Sequence, residues 1–189
     1  MQNENIIRLG FFLIIFAAVA FWEFLAPRRA LTTSKKMRWI SNLSITVFNP
    51  LMVRLLFPVL AVGMSLKADE NGWGLLNIFE LPYWLALVIG VAVLDFIIYL
   101  QHVMFHAIPI LWRLHMVHHA DLDYDVTTGF RFHPIEIVLS MGIKLSAVTL
   151  LGPPLIAVLV FEILLNATAM FNQGNISVPI LDIPPTNRK

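Results

Sequence analysis

Apolar residues fall in long blocks along this chain, separated by short polar or basic turns. A helix needs about 20 such residues to cross the hydrocarbon of a bilayer, and three stretches meet that requirement. The first, residues 6–26, is stopped by Pro27 and followed by Arg28, Arg29, Lys35, Lys36 and Arg38, a basic loop expected on the cytoplasmic side. The second, residues 43–66, contains Pro50, Arg54 and Pro58. Those prolines predict a kink, and Arg54 is expected to face protein, water or the interface rather than lipid. The polar run KADENG then turns the chain on the far side. Pro82 opens the third span, PYWLALVIGVAVLDFIIYL, which returns toward the cytoplasm.

A further apolar stretch, residues 135–171, is broken by GPP at 152–154. Each arm has roughly 17 residues, or about 25 Å of helix, which is short for a full crossing. A helical hairpin returning to the same side is therefore expected, with two full spans and a tight turn as the alternative. Glu162 and Asn166 in the second arm should face inward, because polar and ionisable groups face lipid only at a cost. The final NISVPILDIPPTNRK has too many prolines and polar residues for another helix. The pattern thus predicts an all-α integral membrane helical bundle of three spans plus a hairpin. Residues 1–81 form a two-span membrane region, 82–175 a histidine-bearing domain and 176–189 a polar tail.

Composition supports the membrane assignment: 58% of the 189 residues are hydrophobic, 13% are charged, and mean hydropathy is +0.77. The opening block lacks a basic leader and a small-x-small cleavage site, so it reads as a retained span rather than a signal peptide. The net charge of +1, without a basic patch interleaved with aromatics, gives no reason to expect nucleic acid. Cysteine is absent, so any metal must be held by nitrogen or oxygen.

Five of the six histidines lie between 102 and 119, in HVMFHAIPILWRLHMVHH. Asp95, Tyr99, His102 and His106 sit at offsets 0, 4, 7 and 11, within an arc of about 60° on one helical face. Asp95 is then a candidate ligand, or a carboxylate that accepts a histidine ring N–H and fixes its tautomer. His115, His118 and His119, after a helix-opening Pro109, form a second face. Two imidazole-bearing faces make a nitrogen-rich pocket suited to iron, zinc or copper, with more imidazoles than one tetrahedral zinc uses. Isolated interfacial histidines are often only amphipathic or pH-responsive groups; five on two matching faces point to metal. His133 is a candidate sixth ligand, an outer hydrogen-bonding partner, or a residue held in a turn by Pro134.

Asp121, Asp123 and Asp125 open like a calcium loop. Val126 stands where that loop needs glycine and Phe132 where it needs glutamate, so they read as solvated acids that balance metal charge. Arg131 and Glu136 are expected to pair as structural loop charges. The tryptophans, Trp112 among them, read as an interfacial belt without chemistry.

HVMFH, HMVHH and DLDYDVTTGFRFHPIE resemble the fatty acid hydroxylase and sterol desaturase superfamily, integral membrane di-iron oxygenases, over roughly residues 80–175. The resemblance implies two irons and O2-dependent hydroxylation or desaturation of a fatty acyl or sterol C–H bond, in lipid biosynthesis. It also implies an electron-donor protein and a site facing the cytoplasm from the cell inner membrane or the endoplasmic reticulum. By the motif match, His102, His106, His115, His118 and His119 are iron ligands. The family's last H-x-x-H-H box is missing here, and members sharing a segment like FNQGN often have histidine where Gln173 stands. A truncated or frameshifted chain is the expectation from that gap. The alternative is a catalytically inactive truncated relative or a non-enzymatic, histidine-lined metal-binding protein or proton relay; the apolar character of the third span counts against a relay.

Overall fold

A computed structural model describes residues 4–79 and 81–178. Most of the expected polar tail, residues 179–189, lies outside the described residues. Those described form eight α-helices, a 3-10 turn and an isolated bridge between Pro27 and Ile176. The first helix, α1, is Glu4–Leu25, and α2, Lys35–Leu56, follows the basic loop. α3 is Ala61–Asn71 and α4 is Leu75–Ile78. The break between α2 and α3 falls at Phe57–Leu60, around Pro58, whereas Pro50 stays inside α2. Arg54 is exposed near the end of α2. KADEN, expected as a turn, is the last part of α3. Gly72, at φ 66°, is the left-handed residue that ends it.

The third long helix, α5, is Tyr83–Ala107, so HVMFH is the last part of the same helix, as the one-face spacing of His102 and His106 predicts. Pro109 opens α6, Pro109–His119, where the absent N–H costs nothing. After the 3-10 turn Val126–Phe130 come α7, Pro134–Leu151, and α8, Leu155–Gln173. α1, the stretch Lys35–Ile78, α5, α7 and α8 are each long and apolar enough to cross a membrane. The chain is a helical multi-pass membrane protein.

Two cores set the shape. Near one end, Ala61 and Val62 of α3 and Leu94 of α5 close on Leu145, Val148 and Leu151 of α7 and Val158 and Phe161 of α8. At the other, Val19 of α1, Val126 and Phe130 of the 3-10 turn, Met170 of α8 and Ile176 pack together. The α7–α8 turn belongs to the first end: Ser65 Oγ donates to Pro153 O at 2.7 Å. Gly152 takes a left-handed φ of 63°, and a Cβ there would meet Trp73 O at 2.4 Å. Glycine is thus required twice over. Glu162 and Asn166 face inward as expected: the Glu162 carboxylate pairs with Arg8 at 3.1 Å and Lys144 at 3.1 Å, and Asn166 Nδ2 donates to Glu162 O. This joins α1, α7 and α8 inside the apolar zone.

Candidate metal centre

α5 and α6 meet at the bundle end opposite the GPP turn, and their histidine faces oppose each other. Spacing of four on a helix stacks side chains on successive turns. Accordingly His102 Nε2 and His106 Nε2 lie 3.1 Å apart, and His115 Nε2 and His119 Nε2 3.2 Å apart. Across the helices, the His115 ring lies 4.8 Å from those of both His102 and His106. His106 and His119 rings are 5.0 Å apart. One ligand atom each from His102, His106 and His115 fall within 4.8 Å of one another. Two metal–nitrogen bonds of about 2.1 Å span about 4.2 Å, so small side-chain adjustments fit these imidazoles to a cation.

His115 is 1% exposed, and its Nδ1 lies 2.7 Å from Glu136 Oε1 in the first turn of α7. With Nδ1–H given to a carboxylate, Nε2 keeps its lone pair and points it into the cluster. Glu136 therefore does not pair with Arg131. Arg131 instead donates to Val117 O at 2.9 Å and to Asn42 Oδ1 at 3.3 Å. Burial, then the neighbouring His119 and His115, push His118 down to about 4; burial and then His115 lower His119 as well. Both rings are neutral at pH 7, the form that binds metal.

The other expected site residues are not brought into the cluster. Asp95 and Tyr99 lie on the exposed side of α5, and among the described residues neither hydrogen-bonds a histidine; Tyr99 stacks on Phe96. His133 is the N-cap of α7, where its Nδ1 accepts the Ile135 N–H at 3.1 Å. Trp112, read as a belt residue, has its ring 5.1 Å from His106 and 5.5 Å from His119. It walls the histidine pocket.

The three aspartates are buried, not solvated. Arg38 pairs bidentately with Asp121, at 2.7 and 2.9 Å, reaches Asp125 at 3.0 Å, and donates to Asp123 O. Asp123 accepts from the Thr32 and Thr33 N–H groups and hydroxyls at 2.7–3.2 Å. Those bonds, the Thr33 hydroxyl foremost, hold its carboxyl down at about 2. Burial pushes Asp121 up, but the hydrogen bonds from Arg38, Thr128 and Asn42 outweigh it and leave the carboxyl below its ordinary value. Their carboxylates are turned on Arg38 of α2 and on Thr32 and Thr33 just before it rather than on the histidine cluster. The loop after the second histidine box is thereby latched to the start of α2, and Gly129 lets the 3-10 turn approach α8, where a Cβ would meet Ala169 O at 3.0 Å.

A helical membrane bundle whose one end gathers imidazoles against a buried carboxylate defines a membrane protein with a candidate metal site. The particular family follows from comparison: residues 87–186, more than half of the chain, match the fatty acid hydroxylase family, and the chain belongs to it. Alkylglycerol monooxygenase of Homo sapiens is 28% identical over 126 residues, 61% of this chain and 27% of that protein. The chain thus spans about a quarter of that relative's length. No solved structure matches it.

Proposed function

We propose that this protein is an iron-dependent oxygenase that inserts oxygen into a C–H bond of a membrane lipid. The observation that carries this reading is the convergence of His102, His106 and His115, with His119 and His118 adjoining, on one end of a bundle of membrane-crossing helices. Membership of the fatty acid hydroxylase family supports hydroxylation over desaturation. The name of the human relative supports a lipid with an alkyl chain and monooxygen chemistry. In that reaction a C–H bond becomes C–OH, the second oxygen atom leaves as water, and a donor protein supplies two electrons, with two protons from solvent.

Bound iron supplies the activation of O2. The chain's own residues do the rest. His102, His106 and His115 hold the cation, and Glu136 orients His115. The apolar faces of α5 and α8 offer the lipid a dry approach from the bilayer. The basic loop of Arg28, Arg29, Lys35 and Lys36 is exposed at the same end as the histidines, which supports a cytoplasmic site within reach of a soluble donor. The hairpin tip lies against α3 at the opposite end, which supports five crossings rather than three and a dip.

The test is elemental analysis of the purified full protein together with product analysis of lipids from expressing cells. Bound iron and a hydroxylated lipid are expected, both lost in His102→Ala and His115→Ala. Iron-free protein with an unaltered lipid profile sinks the proposal.

A further inference from the structure

We propose that a cavity at the end of α1 seats the headgroup of an ethanolamine-type phospholipid, with the phosphate between Arg29 and Lys35 and the ammonium on Glu23. Among the described residues no histidine lines this cavity, so the proposal stands apart from the metal reading.

The cavity measures about 250 Å3 and lies between the last turn of α1, the loop that follows it and the start of α2. That is below the roughly 300–1,000 Å3 of sites that enclose a whole drug-sized ligand, and suits a headgroup whose chains stay outside. Its wall is fixed because the loop is clasped at two points. Asn175, 6% exposed, accepts the Arg29 N–H on Oδ1 at 3.1 Å and donates Nδ2 to Arg29 O at 2.9 Å. Thr32 and Thr33 are held by Asp123, so Ala30 and Leu31 form an arch between two anchored ends. A wall ordered beforehand adds no ordering cost when a ligand arrives.

The charges around the cavity are mixed. Arg29 and Lys35 line it, and among the described residues neither forms a salt bridge. Arg29 lies 5.9 Å over the Tyr124 ring and Lys35 4.9 Å over that of Trp39. A guanidinium and an ammonium on one wall are a pair that phosphate oxygens accept from. Two carboxylates share the cavity and would repel a simple anion. Asp125 is already engaged: Oδ1 accepts the Thr127 N–H, and Oδ2 meets Trp39 Nε1 and Arg38. Glu23 takes the N–H groups of Val126 and Asn175 both on Oε1, which leaves Oε2 as the oxygen able to accept a further donor.

A ligand matched to both signs carries a phosphate and a cation a few bonds apart. Quaternary ammonium groups are held by cages of aromatic rings, whereas among the described residues Phe24 alone brings a ring to this lining. A primary ammonium, which donates N–H to Glu23, is the better match. The bilayer is the source of such a headgroup. Phe21, Phe24 and Leu25 are 63%, 78% and 63% exposed, and their spacing puts them on one side of α1 as a track for acyl chains.

Native mass spectrometry of the full chain in detergent tests this, with dioleoyl phosphatidylethanolamine, phosphatidylcholine and phosphatidylglycerol offered in equal amounts. Wild type should retain the ethanolamine lipid about tenfold over either competitor, since a hydrogen bond to a charged group is worth at least about that factor. Arg29→Ala and Lys35→Ala, both at exposed positions, should each lower its retention by about the same factor. Ala30→Trp, which fills the arch without changing charge, should abolish it. Glu23→Gln keeps an acceptor for the two N–H groups and should erase the preference over phosphatidylglycerol. Equal retention of the three lipids overturns the proposal, as does a preference for phosphatidylglycerol. So does ethanolamine lipid undiminished in Arg29→Ala and Ala30→Trp. Displacement of the lipid by inorganic phosphate alone would make this a simple anion site and overturns it too.

Discussion

Glu136 carries the most consequence for its size. It stands in the first turn of the helix opened by Pro134, yet its sequence context reads as a structural loop charge, and nothing local distinguishes it from a surface carboxylate. Only the tertiary fold, which sets α7 beside α6, brings its carboxylate to a histidine 21 positions earlier. Outer partners of this kind are commonly worth 10–100-fold in metal affinity. Glu136→Leu should therefore weaken cobalt or iron binding by about that factor, and Glu136→Gln, which still accepts the Nδ1 proton, should recover most of it. Equal binding in all three proteins would remove Glu136 from the site.

Asp123 offers a separate test in acid. Its folded carboxyl is held at about 2, below an ordinary 3.8. A carboxyl lowered by folding stabilises the folded state above its unfolded value, and that contribution disappears as pH falls through the folded one. Wild type should be more resistant to unfolding than Asp123→Asn at pH 7, and the gap should close between about pH 4 and pH 2. A gap that persists unchanged at pH 2 would assign the effect to something other than this charge.

At the scale of elements, the helices were legible because hydropathy and proline placement speak directly to them. Pro82, Pro109 and the GPP turn open or separate helices where the pattern predicts. The extension of α5 through HVMFH was also implicit, in the one-face spacing of His102 and His106. The 3-10 turn and the latch beneath it were not. VTTGF has no periodicity: its start is held by a capping box of Asp125 with Thr128, and the latch beneath it by Arg38, an apparent member of the exposed basic loop that is instead 8% exposed between three aspartates. Removing one partner of a buried ion pair costs about 3–5 kcal/mol, because the other charge stays uncompensated. Arg38→Met should destabilise the protein by about that amount and reduce metal retention, although Arg38 touches no histidine. Retained stability in a denaturant titration would show that the latch is loose.

For the molecule as a whole, the question is how many times the chain crosses. A dip was predicted from arm length alone; the arms are 18 and 19 residues and their tip packs on α3. Five crossings, as proposed, would place the turn at 152–154 on the face opposite the histidines. The sequence contains no cysteine, so single introduced thiols report cleanly. Lys36→Cys and Ala120→Cys should react with an impermeant maleimide from one face of sealed vesicles, and Asn71→Cys and Leu150→Cys from the other. Leu150→Cys labelled together with Lys36→Cys would favour the dip over five crossings.

Glu23 ties the ends of this path together. Its Oε1 accepts the N–H of Val126 at 2.7 Å and of Asn175 at 2.8 Å, partners 103 and 152 residues away. A ribosome makes α1 long before either partner exists, and contacts of such separation form late because the loop they close is long. Val126 is made before α8 and Asn175 only after it, so Glu23 lacks its second donor until α8 is complete. The first helix thus waits in the bilayer with an incompletely satisfied carboxylate until the residues that follow α8 are in place.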